Sequence, residues 1–278
     1  MIRHPRLFAY AAALTLGIAS LADGQTRADC EREYTPQRAQ EGKDVVWMPT
    51  EDAMLGPMFE LAKVGAADKI YDLGSGDGKI VIAAAKRFGA TAVGIEYDAG
   101  LVKHARCLAA AEGVADRVTF VQGDIFESNF GDATVVALYL TPQVNLRLMP
   151  MLLALQPGTR IVAYSFGVGD WEPESQVDSF GDGSVFFYVV PANARGTWAF
   201  RPASGGAGFD AQLGQTFQML AGSVGGAPVT GKLAGAAIDF AFTQSGLETR
   251  VTGTIDGDRI AATVVRGGAA AEYVATRR

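Results

Sequence analysis

The chain has 278 residues, is 49% hydrophobic and carries a net charge of -6 with a pI near 5.0. That length admits one large domain or two modest ones, and the apolar share excludes a disordered chain. Its 24 lysines and arginines are scattered without a run, so the basic footprint of a nucleic-acid binder is missing and no nucleic-acid partner is expected.

Arg3, His4 and Arg6 precede an uncharged stretch from Leu7 to Ala22 that ends in Ser20-Leu21-Ala22. A charged start, an apolar centre and small residues at a cleavage point make residues 1–22 a secretory signal by expectation. The protein would then be periplasmic or secreted; an inner-membrane anchor and a misplaced start codon are the alternatives. Residues 23–44 are polar and read as a flexible segment. From Thr50, the residues Met54, Leu55, Met58, Leu61 and Ala62 recur at helical spacing.

Short β-rich runs then alternate with helical ones. The spacing predicts strands over Lys69–Leu73, Thr91–Glu96, Arg117–Val121, Ala133–Leu140 and Arg160–Phe166, with helices over Lys79–Arg87, Ala99–Glu112 and Gln143–Leu155. Asp98 suits the N-cap of the second helix. Alternation of this kind implies a mostly parallel sheet covered on both faces, a Rossmann-like α/β domain over residues 45–192, with further strands in Gln176–Val190. After Pro191 the helical period disappears, and 15 of the 34 glycines fall in the last 83 residues. Alternating apolar residues between glycine turns predict a small antiparallel β domain over residues 196–278, a sandwich or barrel of about six or seven strands. Two cysteines, Cys30 and Cys107, are either a disulfide or two unrelated thiols. His104 reads as a solvated residue in mid-helix. With no histidine cluster, neither a metal site nor a Ser-His-Asp triad is expected.

The run Asp72-Leu73-Gly74-Ser75-Gly76-Asp77-Gly78 carries the most information. A strand that passes through three alternating glycines into a helix lets a nucleotide-like ligand approach the backbone. Its third glycine comes one position too early for the dinucleotide fingerprint, and Lys79-Ile80 lacks the Ser or Thr of a phosphate-binding P-loop. Glu96 ends the second strand, where a carboxylate can accept from ribose hydroxyls. Asp124, in Gln122-Gly123-Asp124-Ile125-Phe126, follows the third.

This D-x-G-x-G-x-G pattern with acids at successive strand ends resembles the class I S-adenosylmethionine-dependent methyltransferases. Asp72 to Lys86, together with Trp47-Met48-Pro49-Thr50, Leu138 to Pro142 and Asp170 to Pro173, is similar to a bacterial group related to the mitochondrial protein-lysine methyltransferases. The resemblance spans about Val45 to Pro191. It implies S-adenosyl-L-methionine as cofactor, held by Asp72, Gly74, Gly76, Gly78, Glu96, Asp124 and Ile125, with Asp124 on the adenine amino group and Ile125 on the ring. It places Tyr139, Thr141 and Asn145 on the acceptor side as catalytic candidates, and Trp47 on a lid. A protein side chain, lysine favoured, is the expected acceptor. A small-molecule acceptor and an envelope association stay open. Two other readings remain: a non-catalytic exported binding protein on a methyltransferase-like scaffold, and, on fold alone, a dinucleotide oxidoreductase.

Overall fold

The computed structural model describes residues 25–178 and 183–278. The proposed signal at residues 1–22 lies outside them. The first half builds a seven-stranded sheet in the order β3-β2-β1-β4-β5-β7-β6. Its strands are β1 (Lys69–Leu73), β2 (Thr91–Glu96), β3 (Val118–Gln122), β4 (Val135–Leu138), β5 (Arg160–Tyr164), β6 (Ser175–Asp178) and β7 (Ser184–Val189). The first five run parallel, and β7 lies antiparallel to both β5 and β6. The near-continuous apolar sequences of β1, β2, β4 and β5 fit strands buried on both faces, whereas β3 and β6 at the edges are more exposed.

The chain leaves β1 toward β2 on one side and returns to β4 on the other, so the strand order reverses beside β1. A crevice at the carboxyl ends of the strands opens at such a switch point. One face of the sheet carries α2 (Asp52–Leu61), α3 (Lys79–Phe88) and α4 (Ala99–Ala111), with Met58, Ile80, Val81, Val102 and Phe120 in its core. The other carries α5 (Pro142–Leu153), whose Val144, Leu148 and Leu152 pack with Leu73, Val136 and Ile161. Asp98 caps α4, its Oδ1 accepting from the Leu101 N–H at 2.8 Å. The strand β4 is shorter than the predicted 133–140 run because its ends turn into loops.

Two expectations need correction. The described part of the expected flexible segment, residues 25–44, holds a helix: Arg27–Glu33 forms α1, which starts in a Thr26–Asp29 capping box. Its Cys30 is joined to Cys107 on α4, which settles the pairing. Polar composition hid this helix, because a cap, a covalent link and ion pairs from Arg27 to Glu112 and Lys103 to Glu33 hold it rather than an apolar stripe. His104 is also not solvated. It is 5% exposed, under Tyr34 at 5.6 Å between ring centres, and burial lowers its pKa.

The second half is a closed antiparallel barrel of eight strands rather than six or seven. They are β8 (Gly196–Pro202), β9 (Phe209–Thr216), β10 (Met219–Val224), β11 (Ala227–Ala234), β12 (Ala237–Gln244), β13 (Leu247–Asp256), β14 (Arg259–Arg266) and β15 (Ala269–Arg277). Each pairs with the next, and β15 returns to β8, with Arg277 opposite Trp198. Trp198, Phe200, Leu213, Phe240, Val251 and Ile260 fill the interior. Outward positions carry Lys232, Asp239, Arg250, Thr252 and Glu272, the inverse of the apolar outer band of a membrane-spanning barrel.

The barrel docks by one end. Phe217 stacks on buried Trp171 at 6.1 Å, and the Gln218 amide donates to the Glu172 carbonyl at 2.7 Å. The Ala192 N–H donates to the Gly235 carbonyl at 2.8 Å, and Lys232 pairs with Glu174 at 2.6 Å.

Candidate active site

The crevice at the switch point is a cleft that brings together Asp72, Gly74, Gly76, Asp77, Glu96, Asp124, Ile125 and Tyr139. The turn from β1 into α3 is fastened to β2: the Gly74 and Ser75 N–H groups both donate to the Ile95 carbonyl, at 2.8 and 3.0 Å. Positive φ at Gly74, Gly76 and Gly78 lets the chain turn this tightly. At Gly78 a methyl group would stand 2.4 Å from the Phe120 ring, so this glycine also admits α3 against β3. At Gly76 it would lie 2.3 Å from Trp47 Nε1.

Three carboxylates gather at this turn. Asp72, at the centre of the sheet opposite Gly94 and Ala137, is 2% exposed. Burial above all, then the neighbouring Asp77 and Glu96, pushes its pKa up to about 8. Asp77 is also raised by burial, although its Oδ1 accepts from the Lys79 N–H at 3.2 Å. Glu96 is anchored twice, accepting from the Gly76 N–H and the Asp98 N–H at 2.9 Å each. Each of its oxygens keeps acceptor capacity toward the cleft. An anionic pocket of this kind, with Asp72 strained toward its neutral form, favours a cationic group over a phosphate. It therefore suits a ligand that carries an ammonium and a sulfonium.

Beyond β3, Asp124 accepts from the Phe126 N–H at 2.9 Å and pairs with Lys43. Both contacts hold its carboxyl below the usual range, Lys43 more strongly. Ile125 lines the cleft and is almost wholly buried.

A strap from Glu41 to Met48 covers the cleft, pinned by Lys43 to Asp124 and by Asp44 to Arg147 at 2.9 Å. Trp47 sits on this strap over the glycine turn, and Lys79 ties down its far end by donating to the Thr50 carbonyl at 2.7 Å. Sequence reasoning missed Lys43 and Tyr97. Lys43 lies 81 residues from Asp124, with nothing local to mark the pair. Tyr97, which lines the cleft under the Lys43 ammonium at 5.2 Å, follows Glu96 directly, and that adjacency was the available signal.

The three acceptor-side candidates separate. Tyr139 lines the cleft beside Tyr164, ring centres 4.5 Å apart, and burial raises its pKa, so its hydroxyl stays neutral. Thr141 is the N-cap residue of α5 and makes no side-chain cap bond; the cleft does not include it. Asn145 is fully buried and turns away, donating to the Phe166 and Gly167 carbonyls at 3.1 Å each. One helical turn past the Thr141 N-cap of α5, its side chain packs under the 166–167 loop rather than in the crevice.

Comparison with known proteins agrees with this geometry. The ANTKMT methyltransferase domain matches residues 72–175. A protein-lysine N-methyltransferase of Saccharolobus islandicus is 38% identical over 151 residues, 52% of this chain and 94% of the relative. The adenine nucleotide translocase lysine N-methyltransferase of Mus musculus is 35% identical over 45% of this chain, which spans only 55% of that relative. The crystal structure of an RNA methyltransferase from Salinibacter ruber with S-adenosyl-L-homocysteine is 49% identical. It superposes with a TM-score of 0.52 over 52% of this chain and 95% of its own. The barrel lies outside the matched family domain. With its Asp72–Gly78 turn and a relative matched along nearly its whole length, the chain belongs to the class I S-adenosylmethionine-dependent methyltransferases, in the group that includes the protein-lysine N-methyltransferases.

Proposed function

We propose that this enzyme N-methylates lysine side chains of a protein, on the cofactor S-adenosylmethionine. The observation that carries the reading is the identity to the Saccharolobus protein-lysine N-methyltransferase along 94% of that protein. Bound cofactor supplies a methyl group already activated on a sulfonium. The protein's task is then to hold and align. In this assignment Asp72, as a carboxylate, takes the cofactor's ammonium, and the turn of Gly74, Gly76 and Gly78 gives its tail room. Glu96 accepts from the ribose hydroxyls, Asp124 from the adenine amino group, and Ile125 packs on the adenine. Trp47 on the strap excludes water.

Tyr139 stands on the acceptor side. A lysine must arrive there neutral, so a cleft wall formed by the un-ionised Tyr139 serves better than a further carboxylate. Thr141 and Asn145 act through the start of α5, as positioning residues.

The Salinibacter neighbour's name offers RNA as acceptor. A net charge of -6 without a basic stripe disfavours a phosphate backbone. Incubation of the chain with labelled S-adenosylmethionine and host extract, split between nuclease and protease digestion, separates the two. Label that survives nuclease and is recovered as methyllysine supports the proposal; label lost to ribonuclease overturns it. No relative supports the non-catalytic alternative.

We further propose that the enzyme works after export, in an oxidising compartment. The Cys30–Cys107 disulfide supports this, since such bonds persist where thiols are not kept reduced. Among the described residues no helix is long and apolar enough to cross a membrane. Fractionation with N-terminal sequencing tests the proposal: a chain starting near residue 23 in the periplasm agrees, and an intact cytosolic chain refutes it.

A further inference from the structure

At the end of the barrel remote from the α/β sheet, the strands enclose a cavity of about 510 Å³. That lies within the range of about 300–1,000 Å³ seen for small-ligand sites, which recur in barrel mouths. The register explains the space. Phe242, Thr249, Arg266 and Ala269 lie opposite one another across β12 to β15, and Phe240, Val251, Val264 and Ala271 form the next row inward. Side chains alternate along a strand, so both rows face the lumen, as the burial of Phe240, Thr249, Val251 and Val264 requires. Deeper in, Trp198, Phe200 and Ile260 fill the barrel. Near the mouth, Ala269, Ala271 and Gly208 leave one wall empty.

Aromatic rings on β9, β12 and β15 flank this gap. Phe209 stacks on Phe200 at 4.8 Å and meets Phe242 at 5.4 Å and Tyr273 at 5.8 Å. Gln244, Thr249, Arg266 and Tyr273 add polar groups to this lining, and two of them are placed to act together. Thr249 is 2% exposed, and its Oγ1 is buried with no hydrogen-bond partner among the described residues. Native proteins rarely leave such a group unsatisfied. Directly across from it, Arg266 stands exposed at the rim, an inward-facing position, without an ion pair to any described carboxylate. A cation above a lumen walled largely by aromatic and aliphatic side chains, with an idle hydroxyl beside it, is arranged for an anionic head and an apolar body.

The geometry points to a second ligand site in the barrel mouth, for a small amphipathic carboxylate of the medium-chain fatty-acid class. The chain or flat body fills the lumen against Phe209, Phe242 and Tyr273, and the carboxylate meets Arg266 and the Thr249 hydroxyl. The site is separate from methyl transfer, since the barrel meets the sheet through its other end.

Calorimetric titration of the full chain with decanoate, and in parallel with decan-1-ol, tests this. One saturable site is expected, with decanoate binding at least about tenfold tighter than the alcohol. Arg266→Ala should erase that preference. Ala271→Trp fills the lumen and should abolish both, with S-adenosylhomocysteine binding unchanged. If Ala271→Trp lowers the melting temperature, Arg266→Ala alone carries the test. The site is overturned by any of three results: no saturable decanoate binding, equal binding of acid and alcohol, or displacement of decanoate by S-adenosylhomocysteine, which would put it in the cofactor cleft.

Discussion

Asp72 ties cofactor binding to pH. Its pKa is pushed up to about 8 by burial and by the carboxylates of Asp77 and Glu96. In the unliganded enzyme it therefore keeps a proton that the unfolded chain releases near pH ~4. The sign follows: Asp72 contributes stability below that value, lost as pH rises through about 8. A bound ammonium reverses the preference by favouring the carboxylate. Near pH ~6, two units below the folded value, about one Asp72 in a hundred is ionised, so the cofactor binds about 100-fold more weakly than above pH ~8, or about 2.7 kcal/mol. Calorimetry with S-adenosylhomocysteine, in two buffers of different protonation enthalpy, should show this slope with about one proton released per ligand at the low end. Asp72→Asn, equal in shape and fixed neutral, should bind weakly at every pH and release no proton. A flat affinity in the native chain, or the same slope in Asp72→Asn, would refute the reasoning.

Other perturbations separate the turn, the strap and the scaffold. Gly76→Ala places a methyl 2.3 Å from Trp47 Nε1 at a φ of 54°, and should lose about 1–3 kcal/mol of stability along with most S-adenosylhomocysteine affinity, read by melting with and without ligand. Asn145→Ala strands the Phe166 and Gly167 carbonyls and should lower stability by about 1–3 kcal/mol, while ligand affinity stays within about twofold; a selective loss of turnover would return Asn145 to the chemistry. Cys30→Ser with Cys107→Ser removes a link across 77 residues and should lower stability by about 2–4 kcal/mol in chemical denaturation, with no change if the pair is unformed.

The cleft is readable because its parts are local. The turn from β1 to α3 needs three glycines in seven residues, and each acid sits at the end of a strand whose apolar run marks it. What the sequence conceals depends on distant partners. Closure of the barrel rests on β15 finding β8, as in Arg277 against Trp198, and alternation alone cannot tell that from a sandwich. The burial of His104 depends on Tyr34, which α1 brings over it, held there by the Cys30–Cys107 link and by ion pairs from Arg27 to Glu112 and from Lys103 to Glu33. Nearness to the end of β4 suggests the cleft for Asn145. The turn of α5 that carries it decides otherwise, since it aims the amide at the 166–167 loop. The junction likewise gives Trp171 a structural role through Phe217, 46 residues downstream.

Transfer from tritiated S-adenosylmethionine to host protein, comparing the native chain with Asp72→Asn at neutral pH, tests the central claim most directly. Label recovered as methyllysine with the native chain, and reduced about tenfold with the variant, is the predicted result, since one unit below its pKa of about 8 roughly one native Asp72 in ten is ionised. Label found only in RNA, or methyllysine formed equally by Asp72→Asn, would contradict it.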